Sequence, residues 1–251
     1  MSTAIFDPAV LDFELPKGLI ANRPNLSDWF SDCQLVMFDR KTGRISQHDF
    51  LELADILDDE LCYANKAWLD DSCNHLWRLQ CNWADKNSKD KNGRGTFAVP
   101  SAGLPIDIVT KNQLNLKYLS LFTPEEKIRN QDEMYRDGKS LPEYYKFHDP
   151  YDGSRPVIAI GTTVVKALES FTNISGSWPI EGNESISDLL ITPGHTFRNV
   201  KGILTNFHYP KEPLSALVAA FTGVEQFKEI YKYAVDYELR FVDFGDRLLV
   251  I

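Results

Sequence analysis

The feature that most constrains this chain is a junction. Val157-Ile158-Ala159-Ile160 is a β-branched apolar run that stops at Gly161 and passes directly into Thr162-Thr163, behind which Val164, Val165 and Leu168 keep helical spacing. The run predicts a strand, the glycine a tight turn, and Thr162 or Thr163 the cap of a helix. The unit recurs in altered form down the last hundred residues. Leu189 to Thr192 predicts a strand before the Pro193-Gly194 turn, and Ile203 to Phe207 predicts a third. Pro213 opens a helix with Leu214, Leu217, Val218 and Phe221 on one face, because proline in the first turn forfeits no hydrogen bond. Gly223 breaks it, and Phe227, Ile230, Tyr231, Ala234 and Val235 mark a second helix. Arg240 to Phe244 and Leu248 to Ile251 flank Gly245-Asp246 as a closing hairpin. Strands alternating with helices predict an α/β class.

The first part of the chain adds a strand at Leu35 to Phe38, a turn at Lys41-Thr42-Gly43 and a strand near Arg44 to Ser46. Phe50, Leu53, Ala54 and Leu57 then fall at helical spacing and end at Asp58-Asp59. Cys62 to Phe97 shows no sustained period. Its polar stretch Asp85 to Gly95, with Lys86, Lys89, Lys91 and Arg94, reads as a phosphate-contacting tip or a solvated turn. Thr123 to Pro156 is dense in charge and tyrosine and broken by Pro142, Pro150 and Pro156, which fits a lid or a long surface crossing.

With 251 residues, 43% of them apolar, the chain can bury a core in one or two domains. A net charge of -9 argues against a broad basic surface that grips nucleic acid indiscriminately. Cys33, Cys62, Cys73 and Cys81 match no paired C-x-x-C pattern and read as reduced, packed thiols. The opening residues lack the features of a targeting peptide, and no apolar stretch is long enough to span a bilayer. The expectation is a soluble cytoplasmic protein with no membrane partner.

Two places combine chemistry with position. At Gly161-Thr162-Thr163, unpaired amides and the positive end of a helix dipole face one crevice, either as a ligand platform or as ordinary capping. Thr205-Asn206-Phe207-His208 closes a strand on the side where open α/β sheets bind ligands. The Asn206 amide both donates and accepts, and His208 can exchange a proton or simply be a satisfied structural residue. Glu169 lies too far along its helix to share the crevice, and reads as a solvent-facing or cap-stabilising carboxylate. Arg240 and Asp246 pair with each other or with substrate. His48, His75, His148 and His195 show no metal-ligand spacing, and neither G-x-G-x-x-G nor G-x-S-x-G is present.

At these residues the chain resembles the S-adenosylmethionine:tRNA ribosyltransferase-isomerases of queuosine biosynthesis. Ile158 to Thr163 with Ala167-Leu168-Glu169-Ser170 carries the resemblance, as do Thr205 to His208, Pro210, Leu214, Phe221, Gly223, Arg240-Phe241 and Gly245-Asp246. Phe13-Glu14-Leu15-Pro16 and, more weakly, Pro100 to Leu104 extend it. The resemblance implies an enzyme that is both transferase and isomerase. Such an enzyme moves the ribosyl part of S-adenosylmethionine onto 7-aminomethyl-7-deazaguanine in a tRNA, releasing adenine and methionine. It implies His208 and Asn206 as catalytic residues. Gly161, Thr162, Thr163, Thr205, Asn206, Phe207 and Arg240 would hold S-adenosylmethionine, which is a substrate, and no metal is expected.

The chain departs from the family pattern in several places. Ala64-Asn65-Lys66-Ala67 stands where the family has Asn-Asn-Thr-Arg, Pro105 where it has His, and Leu121 to Pro124 where it has a His- and Gly-containing loop. The family's inserted barrel has only residues 59–97 to occupy. The expected architecture is therefore a mixed α/β main body, residues 1–58 and 98–251, with a reduced β-rich insert at 59–97. The expected acceptor is a tRNA; the second reading is an enzyme that uses S-adenosylmethionine with a small-molecule acceptor or simply cleaves or rearranges it, and a non-catalytic nucleoside-binding descendant is the third. The oligomeric state is not legible.

Overall fold

The computed structural model describes residues 6–21, 33–58, 60–65, 115–122, 131–149, 156–171, 184–242 and 245–251. Among these described residues nine strands are formed: β1 (Gln34–Asp39), β2 (Arg44–Asp49), β3 (Leu61–Asn65), β4 (Asn115–Phe122), β5 (Lys139–Phe147), β6 (Val157–Ile160), β7 (Glu184–Leu189), β8 (Val200–Asn206) and β9 (Arg247–Val250). They make one sheet in the order β2-β1-β9-β8-β6-β3-β4-β5-β7. The centre, β8-β6-β3-β4, is parallel. Antiparallel pairs extend it through β5 and β7 on one side and through β9 and, beyond β1, β2 on the other.

The helices are α1 (Leu53–Ile56), α2 (Gln131–Asp137), α3 (Thr162–Phe171), α4 (Pro213–Thr222) and α5 (Val224–Asp236). Successive side chains of a strand point to opposite faces, and the central strands divide accordingly. Val157, Ala159, Ile203, Leu248 and Val250 join one apolar cluster with residues of α3, α4 and α5. Ile158, Ile160, Leu204 and Leu249 join a second with Phe50, Leu53, Ala54 and Leu57 around α1. Both faces are covered, so the unbroken apolar runs are what the core requires; each such side chain contributes about 1.5–3 kcal/mol.

Gly202 shows how closely the sheet is packed. A Cβ there would sit 2.6 Å from the Val250 carbonyl and 2.8 Å from Ile158 Cδ1.

α4 is buried over most of its surface, whereas α5 buries Phe227, Ile230, Tyr231 and Ala234 and leaves its other side wet. Gly223 joins them at φ +85°, which a side chain rarely tolerates. The amino-terminal strap, residues 6–21, crosses this helical face. Phe13 packs edge-on to Tyr231 at 5.2 Å, and Ile20 bridges Phe241.

The mixed α/β body matches expectation, but several elements differ. Among the described residues of 240–251 β9 has no hairpin partner: it inserts between β1 and β8, because Leu248 to Val250 have apolar surroundings on both faces there. β7 ends at Leu189, and residues 190–192 are irregular. The stretch expected to be a loose crossing contains α2, with Met134 and Tyr135 buried, and β5, whose inward positions Glu143, Tyr145 and Phe147 hide the usual alternation behind a carboxylate. Leu61–Asn65, assigned to the insert by sequence, pairs with β4 and β6 in the main sheet. Residues 66–97, with the Asp85 to Gly95 loop, Cys73 and Cys81, lie outside the described residues.

Cys33 and Cys62 are buried and free, and burial raises both thiols, Cys62 to about 12, so neither is a ready nucleophile. No helix among the described residues is long and apolar enough to cross a membrane.

Candidate functional site

The carboxyl ends of β6 and β8 lie side by side. Ile160 pairs with Leu204, and the Gly161 N–H donates to the Leu204 carbonyl at 2.8 Å, so the turn after one strand abuts the loop after the other. Gly161 has φ +97°, a conformation glycine adopts without a Cβ penalty. The chain then enters α3 at Thr162, and the Gly161 carbonyl accepts from the Val165 N–H at 3.3 Å. Helix geometry leaves the first-turn amides without intrahelical acceptors.

Thr162 and Thr163 are not the cap. Both already lie within the helix, and a capping side chain must come from the non-helical residue before it. Their hydroxyls are buried without a hydrogen-bond partner. Such a group normally finds a partner, and leaving it unmade costs about 1–3 kcal/mol.

Across the junction His208 is 5% exposed. Its Nε2 lies 2.9 Å from Thr205 Oγ1, and its backbone N–H donates to the Tyr231 hydroxyl at 3.2 Å. Burial lowers its pKa to about 4, so the ring is neutral at physiological pH. Asn206 donates through Nδ2 to the Val242 carbonyl at 2.8 Å. Phe207 is wholly buried, its ring 5.5 Å from Tyr231 and 5.3 Å from Phe241, which makes it a core residue rather than a ligand contact.

Arg240 pairs with Asp246, whose carboxylate accepts from Arg240 Nη2 at 3.0 Å and from the backbone N–H groups of Arg240 and Gln34 at 2.7 and 2.9 Å. The fold thus sets the turn at Gly161, from which Thr162 and Thr163 open α3, against the end of β8, which carries Thr205 and leads to His208, and it gives Phe207 and Arg240 protein partners.

Glu169 has a different place from either expected. It is buried at the far end of α3, where its carboxylate accepts N–H bonds from Arg198, Asn199 and Val200, with His195 Nε2 at 3.5 Å. Burial opposes its ionisation, yet the imidazole and the three amides together hold its pKa below the usual value. A helix carboxylate nine residues past a strand end gives no sequence signal of this role.

Sequence reasoning also missed a buried polar seam between α3 and the antiparallel strands. Lys166 Nζ lies 2.5 Å from Glu143 Oε2 and donates to Ser140 Oγ at 3.3 Å, and Tyr145 donates to the same carboxylate at 2.8 Å. Lys166 follows Thr162 by one helical turn, a spacing that marks a shared face. Among the described residues no group of three or more His, Cys, Asp or Glu is placed to hold a metal ion.

Comparison with known proteins bears on this region and extends beyond it. Residues 144–250 match the family model described as Queuosine biosynthesis protein. An S-adenosylmethionine:tRNA ribosyltransferase-isomerase of Cupriavidus metallidurans is 45% identical over 94 residues, which are 38% of this chain and 26% of that one. The enzyme of the same name from Rickettsia bellii is 35% identical over 174 residues, 63% of this chain and 48% of the relative. The matched stretches therefore span no more than about half of these relatives' length. The crystal structure of a Thermotoga maritima S-adenosylmethionine tRNA ribosyltransferase superposes with a TM-score of 0.61 at 22% identity, covering 96% of this chain and all of that one. That likeness shows a shared fold, and the resemblance carried by the motifs is present in the carboxyl-terminal half.

Proposed function

We propose, on the premise that this chain is a relative of the S-adenosylmethionine:tRNA ribosyltransferase-isomerases, that it binds S-adenosylmethionine at the carboxyl edge of β6 and β8. There it would transfer the ribosyl portion to the amine of 7-aminomethyl-7-deazaguanine in a tRNA, releasing adenine and methionine. One observation carries the reading. Two buried threonine hydroxyls without partners stand at the amino end of α3, and a neutral buried histidine follows β8, the strand paired with the one that feeds α3.

A polar ligand seated there supplies the missing hydrogen bonds, and the helix terminus favours its anionic groups, such as the methionine carboxylate. The reaction needs a base for the acidic proton beside the sulfonium. His208 is unprotonated at neutral pH and is assigned that role, with Thr205 fixing the ring through Nε2. Gly161 lets the ligand approach the backbone closely. Arg240, already neutralised in part by Asp246, orients a ligand group without placing an unpaired charge in the crevice.

A small-molecule amine as acceptor is the second reading. It is favoured by the net charge of -9, which opposes a polyanion.

Calorimetric titration with S-adenosylmethionine tests the site. Replacing Thr162 and Thr163 by the isosteric valine removes groups unsatisfied in the free protein. Melting temperature should hold or rise while affinity falls about tenfold for each lost bond of ~1.4 kcal/mol. Lys41→Ala, in the β1–β2 turn, should leave affinity unchanged. Undiminished affinity in the double valine variant would overturn the placement.

A further inference from the structure

We infer that Asn206 is a positioning residue that acts through Val242, clamping a left-handed backbone turn against the end of β8. Val242 has φ +65°. That region is uncommon for any residue with a side chain and is an outlier for a β-branched one, whose two γ carbons crowd the backbone. Something must hold it there.

Three hydrogen bonds do, and two come from consecutive residues at the end of β8. The Val242 N–H donates to the Phe207 carbonyl at 2.8 Å, and Asn206 Nδ2 donates to the Val242 carbonyl at 2.8 Å. The Gly245 N–H adds a third to the same carbonyl at 2.9 Å. The described residues on either side of the turn lie close together. Asp246 N–H reaches the Arg240 carbonyl at 2.8 Å, and a Cβ on Gly245 would overlap that same carbonyl.

On its other side Phe241 exchanges backbone hydrogen bonds with the strap, donating to Leu19 at 2.8 Å and accepting from Ala21 at 3.1 Å. Arg240, Phe241 and Val242 are thus held between the strap and the end of β8, from which His208 follows. An asparagine suits the clamp because a short side chain must donate to a carbonyl, which aspartate cannot do and alanine cannot reach.

The clamp makes a prediction that direct ligand contact does not. Glycine occupies the left-handed region without a steric penalty, so a glycine at position 242 no longer needs the clamp. The inference rests on the adenosylmethionine reading for one readout and stands apart from it for the other.

The experiment is a cycle of Asn206→Ala, Val242→Gly and the double variant, read by melting temperature and by S-adenosylmethionine affinity. Asn206→Ala alone should lower the melting temperature by several degrees and weaken binding about tenfold. In the Val242→Gly background the same substitution should cost less than half of each loss. Val242→Asn, a residue that tolerates the left-handed region, provides a second background if the glycine variant folds poorly. Equal losses in both backgrounds would overturn the clamp. If no variant, nor the parent, binds adenosylmethionine, the ligand reading fails and the melting-temperature cycle alone decides the clamp.

Discussion

His208 Nε2 lies 2.9 Å from Thr205 Oγ1, and both side chains are buried at the end of one strand. Proton uptake by that ring is penalised in the folded protein. Its pKa falls from 6.5 to about 4, so the unfolded chain binds the proton more readily between those values. Stability is complete above pH 6.5, drains away as pH falls toward 4, and loses about 3 kcal/mol from this group in total. Urea unfolding against pH checks this, since His208→Gln should lack that part of the slope between pH 6.5 and 4. An unchanged slope would contradict it.

Gly202→Ala should destabilise the sheet by about 1–3 kcal/mol, since the new methyl meets both the Val250 carbonyl and the Ile158 side chain. Differential scanning calorimetry reads the effect directly. A melting temperature equal to that of the parent would mean that β8 and β9 pack less closely than described.

The Lys166–Glu143 pair is nine-tenths buried on both sides. Removing one partner strands a charge, so Glu143→Ala should cost about 3–5 kcal/mol, while Glu143→Met combined with Lys166→Met should come close to neutral. Equilibrium denaturation of the two variants separates a stranded charge from simple loss of packing.

Glu169→Ala removes the acceptor of three backbone N–H groups and should cost about 1.5–3 kcal/mol or more. Because the folded pKa is depressed, the carboxylate's contribution is present above its ordinary value of 4.5 and is lost as pH falls. The difference between parent and variant should therefore shrink in acid, which parallel unfolding curves at pH 7 and pH 4 measure.

The central strands and the two carboxyl-terminal helices were legible because their burial writes itself into unbroken apolar runs and 3,4 spacing. Ile158 and Ile160, beside Val157 and Ala159, could only serve a sheet covered on both faces. β5 was hidden because Glu143 occupies an inward position, and no pattern of apolar residues announces a carboxylate that will meet a lysine from another element. β9 reads as a hairpin arm in the sequence because its true neighbours, β1 and β8, are distant along the chain. At the site, the turn at Gly161 and the loop at Thr205 to His208 were visible as strand endings. Their side-by-side placement depends on the Ile160–Leu204 register, which sequence does not display. Nor did sequence announce the left-handed Val242, since a valine there runs against every local preference.

The most direct test of the account is release of adenine. The purified protein, incubated with S-adenosylmethionine and tRNA carrying the 7-aminomethyl-7-deazaguanine base, should liberate adenine and methionine in equal amounts, and His208→Gln should abolish the release. Release without tRNA would replace transfer to tRNA by cleavage or rearrangement of S-adenosylmethionine itself, or by transfer to a smaller acceptor if release then depends on an added amine. No adenine under either condition, together with no binding of S-adenosylmethionine, would contradict the proposed site at the ends of β6 and β8.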